Sequence, residues 1–307
     1  MTLNELRFVI AVAQERNFRR AAEKSFISQP ALSLAIQKLE EELGLKIFER
    51  NKSEVTITAI GQKIIEHAQR VLEQVEHIRL LAQQGKNQLS GVLRLGIIHS
   101  VGPYLLPEFI IALKQIAPDL RLEVEENITA NLEVALNNGK LDAIIIALPF
   151  GDSSNLSCPL YDEDFEVVVN VEHPWSARQS IKPDELANEK VLLLDSGHCF
   201  SNQVIEACPE LNRKGGHIQH GTSLETIRNM VASNLGITVL PASANTPRFL
   251  NQLLTVIPFE QPIPSRRIAL AWRKSFPRTQ TIEALTAAAA HTQLHGSRPI
   301  PQATLSL

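Results

Sequence analysis

The sequence predicts an α/β chain with an N-terminal winged helix-turn-helix and a long linker helix, followed by a larger region of two α/β lobes. Three observations predict it. The stretch 18–50, FRRAAEKSFISQPALSLAIQKLEEELGLKIFER, places two capped helices on either side of a short turn. After Thr58 apolar residues recur at nearly heptad spacing. Beyond Gly91 short β-rich runs alternate with helical ones, the pattern of helices packed on a parallel sheet.

Taken in order, residues 1–13 read as an amphipathic helix capped by Thr2 and Glu5. Asn17 caps a short helix that turns Phe18, Ala21 and Ala22 inward, and Ser28 caps the next, with Pro30 in its first turn. Leu32, Ile36 and Leu39 fall at i, i+4 and i+7 and make a buried stripe, which leaves Gln29, Ser33, Leu34 and Gln37 on other faces. The segment KIFERNKSEVTIT reads as a hairpin wing. Ile60, Ile64, Ala68, Val71, Val75, Ile78 and Ala82 then line a linker helix. Such a stripe pairs with its copy in a second subunit or packs against its own chain. Residues 83–91, QQGKNQLSG, read as a hinge.

The first lobe is expected to hold strands VLRLGII, LRLEVEE and DAIIIAL, with helices over 103–117 and 130–138. The second set comprises FEVVVNV, KVLLL, a helix within 200–208, another over 224–233, then GITVLP and RRIALAW, with a closing helix over about 280–291. Ligands of open α/β sheets sit beyond the carboxyl ends of the strands, which puts Ser100, Thr129 and Thr222 at cleft positions. From Gly296 onward the chain reads as a loose tail. The domains are therefore 1–58, a linker over 59–90, the lobes over 91–296, and a flexible tail over 297–307.

A helix lying in the major groove reads bases with its N-terminal residues. Ser28, Gln29, Pro30, Ala31 and Ser33 form that end here; Gln29 matches adenine bidentately, Ser33 can bond base or phosphate, and Gln37 follows along the helix. Arg16, Arg19, Arg20 and Lys24 upstream, with Arg50 and Lys52 downstream, are placed to hold phosphates. Double-stranded DNA is the expected partner. The bland alternative is ordinary helix packing with a solvated polar face, and charge does not decide between them, because cations and carboxylates nearly balance over the first 58 residues.

At 307 residues with 44% hydrophobic content the chain can bury full cores. Its net charge of -3 allows a DNA module beside a more acidic domain. No apolar run reaches the ~18 residues of a membrane helix, and residues 1–13 lack the basic start of a secretion signal, so no membrane partner is expected. Three cysteines argue against a secreted disulfide framework, and a cytoplasmic location is expected. No P-loop or dinucleotide signature indicates a cofactor, and no set of catalytic residues is evident.

The distinctive chemistry lies in DSGHCFSNQVIEACPE, where Cys199 follows His198 and Cys208 comes nine residues later. That spacing suits neither a Cys-X-X-Cys redox site nor a zinc site. With a helix between them the sulfurs start on the order of 12 Å or more apart, whereas a disulfide needs α-carbons within about 7 Å. Joining them requires the helix to unwind, which would make oxidation a conformational switch. Free cysteines are also common inert core residues, and Cys158, before Pro159 in an expected loop, is assigned a structural role.

Ser28-Gln29-Pro30-Ala31-Leu32-Ser33, Leu39-Glu40, Leu43-Gly44, Phe48-Glu49-Arg50 and Thr58 followed by Gly61 together resemble the N-terminal domain of LysR-type transcriptional regulators. The resemblance implies a winged helix-turn-helix that binds promoter DNA within an oligomer. It also implies a two-lobed domain like periplasmic binding proteins (type 2), with the chain crossing between lobes near 162–168 and 264–270. Gly197-His198-Cys199 with Cys208, the run Val101 to Pro107, Gly139 to Asp142, His173-Pro174-Trp175, Thr222 to Thr226, Arg228 to Ala232, and Arg266 resemble the hydrogen-peroxide-sensing branch of that family. By that match Cys199 is the peroxidatic residue and Cys208 the resolving one. Thr129 and His198 would help place peroxide beside Ser100 and Thr222, and Arg266 would organise the thiolate's surroundings. The branch often has Thr where this chain has Ser100, and the region between Cys208 and Thr222 matches weakly, so His217 and His220 receive no role. The implied assembly is a homotetramer, a dimer of dimers, that regulates oxidative-stress promoters together with RNA polymerase. Two alternatives stay open: a LysR-type regulator that binds a metabolite in its cleft, and a thiol peroxidase.

Overall fold

The computed structural model describes residues 1–50, 55–83, 88–151, 154–195, 197–213 and 218–300. Two compact units result, residues 1–86 and 87–307. In the first, α1 (Leu3–Glu15), α2 (Phe18–Lys24) and α3 (Gln29–Leu43) precede a hairpin of β1 (Phe48–Arg50) and β2 (Val55–Ile57), and α4 (Ala59–Gln83) follows. The expected caps form: Thr2 and Glu5 make a reciprocal capping box, Asn17 accepts from the Arg19 and Arg20 amides, and Ser28 accepts from the Ala31 amide. Val9, Val12, Phe18, Ala21, Leu32, Ile36, Leu39 and Ile47 close the core.

The linker stripe divides. Ala68, together with Ile65, is buried within this unit, where α4 packs on α1. Ile60, Val71 and Ile78 remain exposed, and the side chain of Ala82 lies outside the described residues. The middle of the expected hinge also lies outside them. Its last part is fastened to the second unit: the buried Arg278 guanidinium donates to the carbonyls of Gln88, Ser90 and Val92, and the Thr281 hydroxyl donates to Gln88 O as well. Gln88 to Ser90 is therefore an anchored strap, because one buried cation collects carbonyls that a free hinge would leave to water.

The second unit contains β3 (Gly91–Ile98), α5 (Gly102–Ile116), β4 (Leu120–Asn127), α6 (Thr129–Asn137), β5 (Ala143–Ala147) and the long β6 (Asn155–Asn170). Next come β7 (Val191–Leu194), α7 (Cys199–Ala207), α8 (Glu210–Arg213), β8 (Ile218–Gly221), α9 (Leu224–Ala232), β9 (Ile237–Pro241) and β10 (Leu254–Pro258). The chain closes with β11 (Ser265–Arg273), α10 (Thr279–Ala290) and β12 (Ser297–Pro299). Strand order runs β4-β3-β5-β11-β6-β9-β7-β8, with β10 and β12 also paired to β6.

The sheet is mixed rather than parallel, since β11 runs antiparallel to both β5 and β6, and β6 antiparallel to β9. A chain that leaves one lobe and returns must send a strand back against the others. The outward crossing is β6 itself: residues 155–164 pair with β11, and 165–168 pair with β9. The return is made over 259–264, just ahead of the expected 264–270, so all of β11 belongs to the first lobe. Two hydrophobic cores follow, one around Leu95, Phe109, Ile145 and Leu270, the other around Phe165, Val168, Leu192 and Val239.

Two further expectations are corrected. Cys158 and Pro159 lie within β6, not in a loop, and Pro159 sits where the ladder to β11 slips register, so its missing N–H costs little. The tail does not begin at Gly296. Ser297–Pro299 adds β12 to β6, and Arg298 pairs with Asp164; the end of the expected tail, 301–307, lies outside the described residues.

Candidate functional site

At the N-terminal unit's reading end, Gln29, Pro30, Ala31 and Gln37 are exposed and Ser33 half-buried, while Leu32, Ile36 and Leu39 point into the core. The Gln29 amide donates to Ser33 Oγ at 3.0 Å, so the two share one face, and Gln37 donates to Glu41. Ser28 spends its hydroxyl on the helix cap. Arg19, Arg20 and Lys24 pair with Glu23 or Glu15 yet stay largely exposed, and such surface pairs, worth ~1 kcal/mol or less, give way readily to phosphate. Lys52 lies outside the described residues, as does the side chain of Arg50, whose backbone ends β1.

The wing is tied to the reading helix by Glu40, which the spacing did not single out as functional. Its buried carboxylate accepts from the amides of Ile47 at 2.8 Å and Phe48 at 3.1 Å, and from Lys46 Nζ at 2.9 Å. Burial alone would raise its pKa, but the bonds from Lys46, Phe48 and Ile47 outweigh it and hold the group below the usual glutamate value. A carboxylate whose folded value is depressed lends stability that is complete above its unfolded value and is lost as pH falls through the folded one. Glu40→Ala should therefore cost about 2–3 kcal/mol, because two amides lose their acceptor. Glu40→Gln should flatten the acid limb of the stability profile; urea titrations across the carboxylate range check both.

In the second unit the chemistry gathers around α7. The fully buried β7 ends at Leu194, whose carbonyl accepts from Ser201 Oγ at 2.5 Å and lies 3.0 Å from His220 Nδ1, which pins the first turn of α7 to the sheet. His217 lies outside the described residues. His198 holds the N-cap position and Cys199 is the first helical residue, where unpaired backbone N–H groups favour an anion. Burial, with His99 5.6 Å away ring to ring, holds the His198 imidazole below its usual pKa against the opposing pull of Asp195, so it is neutral at neutral pH.

Cys199 is half-buried and packs against the first lobe's core; Cys208, just past the other end of α7, is buried in the second lobe's core. Burial pushes the Cys208 thiol up to about 12. Helical rise over nine residues separates the two α-carbons by roughly 13 Å. Cys158 is buried in the first lobe, its thiol also raised by burial.

Arg266 is the hub. Its side chain is fully buried, bonds Glu163 Oε2 at 2.7 Å, Ser100 Oγ at 2.7 Å and Ser100 O at 2.8 Å, and stands 4.9 Å over the Phe200 ring. Phe200, next to Cys199, meets Phe165 edge-on at 5.2 Å. Arg266 thus joins the end of β3, the crossing strand and α7 in one cluster. Sequence reading missed Glu163; its only signal is register, since it faces Arg266 across the β6–β11 ladder. Ser100 keeps its hydroxyl hydrogen free to donate, because toward Arg266 it acts as acceptor.

Thr129 opens α6, and its buried hydroxyl has no partner among the described residues, an acceptor and donor left for something small. Its neighbour Ile128 lies against Gly197, two residues before Cys199. Thr222 follows β8 directly and stays exposed. Among the described residues no three His, Cys, Asp or Glu side chains gather to hold a metal ion, and no helix is long and apolar enough to cross a membrane.

Comparison with known proteins places both units. Residues 3–62 match the model of the bacterial regulatory helix-turn-helix protein, lysR family, and residues 86–293 match the LysR substrate binding domain. The chain is 38% identical over 288 residues to the DNA-binding transcriptional dual regulator OxyR of Escherichia coli K12, covering 94% of each. It is 37% identical over 296 residues to the hydrogen peroxide-inducible genes activator of Dickeya chrysanthemi, covering 96% of this chain and 97% of that one. Among solved structures, full-length OxyR C199D from Pseudomonas aeruginosa aligns with a TM-score of 0.81 at 46% identity, over 98% of this chain and 99% of that one.

Proposed function

The chain belongs to the LysR family of bacterial transcriptional regulators, and within it we propose a DNA-binding regulator of oxidative-stress genes that senses hydrogen peroxide through Cys199 and Cys208. The observation that carries this reading is the placement of the two thiols at opposite ends of α7, each against a different lobe's core. Cys199 is the accessible one and reacts first. Its thiolate attacks one peroxide oxygen, the O–O bond breaks, and hydroxide leaves, which a proton turns into water; the sulfur becomes a sulfenic acid. The free hydroxyl of Thr129, the neutral His198 imidazole and Ser100 are the groups assigned to hold peroxide, with Arg266 fixing Ser100 and Phe200 in place. Thr222, exposed after β8, is assigned to the same pocket.

Cys208 cannot answer while it remains in the second core as a protonated thiol. Once α7 unwinds and Cys208 reaches water, its sulfur displaces hydroxide from the sulfenic acid; the S–S bond forms and a second water is released. Both cysteines are oxidised by the one peroxide, which is reduced to two waters. The cost of unwinding α7 and emptying a core position is set against a covalent bond, so the oxidised chain adopts different lobe contacts.

On the DNA side, Ser28, Gln29, Pro30, Ala31, Ser33 and Gln37 read the major groove, with Arg19, Arg50 and Lys52 on phosphates. The exposed Ile60, Val71 and Ile78 of α4 support pairing with a second copy, and we assign a dimer of dimers that contacts RNA polymerase. The test joins both ends of the switch. Untreated chains should titrate three thiols under denaturing conditions and peroxide-treated chains one, Cys158, with a changed promoter footprint from the same sample. An unchanged footprint after loss of two thiols would refute the switch. Rapid consumption of many peroxide equivalents per chain with a dithiol reductant would make the protein a peroxidase instead.

A further inference from the structure

Phe26 sits in the turn between α2 and α3 with 95% of its surface exposed and a left-handed backbone, φ 55°. Its amide donates to Glu23 O at 3.2 Å and the Ile27 amide to Ala22 O at 3.1 Å, the paired bonds that close a helix in the Schellman manner. The residue at that point is usually Gly or Asn, because a β-carbon crowds the left-handed conformation. A phenylalanine there is strained, and its ring gains no burial in return. The fold of the unit thus has no use for this side chain. Ile27, by contrast, packs into the core and fixes the direction of the turn, so that Phe26 is held outward.

The position is two residues before the Ser28 cap, at the end of α3 that carries Gln29 and Ser33. We infer that Phe26 is a DNA-contacting residue whose ring packs on the apolar wall of the major groove beside the bases read by α3. That wall offers thymine 5-methyl groups and deoxyribose carbons. The turn's hydrogen bonds fix the backbone that carries the ring, so contact has only its two side-chain torsions left to order. The inference rests on the DNA-binding reading and adds an aromatic ring to a reading end, residues 28–33, that otherwise has none.

The experiment starts from duplexes selected out of a random-sequence pool by the full-length wild-type chain, with affinities measured by fluorescence anisotropy at one fixed salt concentration. Phe26→Gly and Phe26→Asn both suit the left-handed turn, so their melting temperatures should equal or exceed that of the wild type. Their affinity for the selected duplex should fall about tenfold, which a purely structural residue would not do when stability is unharmed. Replacing thymine by uracil separates the two walls. A methyl contact makes the wild type drop toward the variants while the variants stay indifferent; a sugar contact leaves uracil duplexes bound as before. Both variants binding the selected duplex as tightly as the wild type would overturn the inference alone. Failure of the wild type to select any duplex would take the DNA-binding reading down with it.

Discussion

Cys199→Ser should bind promoter DNA as the wild type does and lose the whole of its response to peroxide. The substitution changes one atom at the first residue of α7, and a serine hydroxyl suits that helix start, so the fold and the reading helix of the other unit are left alone. What disappears is the nucleophile: at neutral pH a hydroxyl does not ionise to attack an O–O bond as a thiolate does. Cys208→Ser should behave differently. Cys199 can still reach the sulfenic acid, which a dimedone-type probe will trap, but no intramolecular bridge can follow. Footprints with and without peroxide, read beside mass spectra of the trapped adduct, separate the two variants. A normal peroxide-dependent footprint from Cys199→Ser would end the mechanism proposed for this chain.

Arg266→Ala should destabilise the second unit by about 3–5 kcal/mol, the range found when one partner of a buried ion pair is removed. The Glu163 carboxylate is fully buried and relies on Arg266, while its other oxygen has no partner among the described residues. The Ser100 hydroxyl and carbonyl lose their donor in the same step, and Phe200 loses the guanidinium over its ring. At roughly 2–4 °C per kcal/mol for a unit of this size, the melting temperature should drop by about 10 °C. Replacing both partners, Arg266→Met with Glu163→Leu, should recover much of the loss, because no uncompensated charge then remains in the core. Urea titrations of single and double variants measure this; a single-variant loss below about 1 kcal/mol would show that the cluster is not a structural hub.

The N-terminal unit was legible because its signals are local. Caps at Thr2, Asn17 and Ser28, the Leu32–Ile36–Leu39 stripe and the wing all act within one or two turns of chain, and each formed where the spacing placed it. In the second unit, hydrophobic runs such as Ala143–Ala147 and Val191–Leu194 likewise announced buried strands. The first half of β6 did not. Charged Asp162, Glu163 and Asp164 interrupt it, and their burial or pairing depends on Arg266, Arg267 and Arg298, more than a hundred residues downstream. The tail strand β12 was hidden for the same reason, since what holds it is an edge of β6 rather than any pattern of its own.

Residue spacing by itself determined that this chain carries a groove-sized reading helix, a linker helix and a cysteine at each end of a short helix. It could not decide which cores receive those cysteines, nor that Glu163 meets Arg266. Periodicity encodes which face of an element is apolar, whereas strand register and the pairing of buried charges arise only when elements far apart in sequence are packed together.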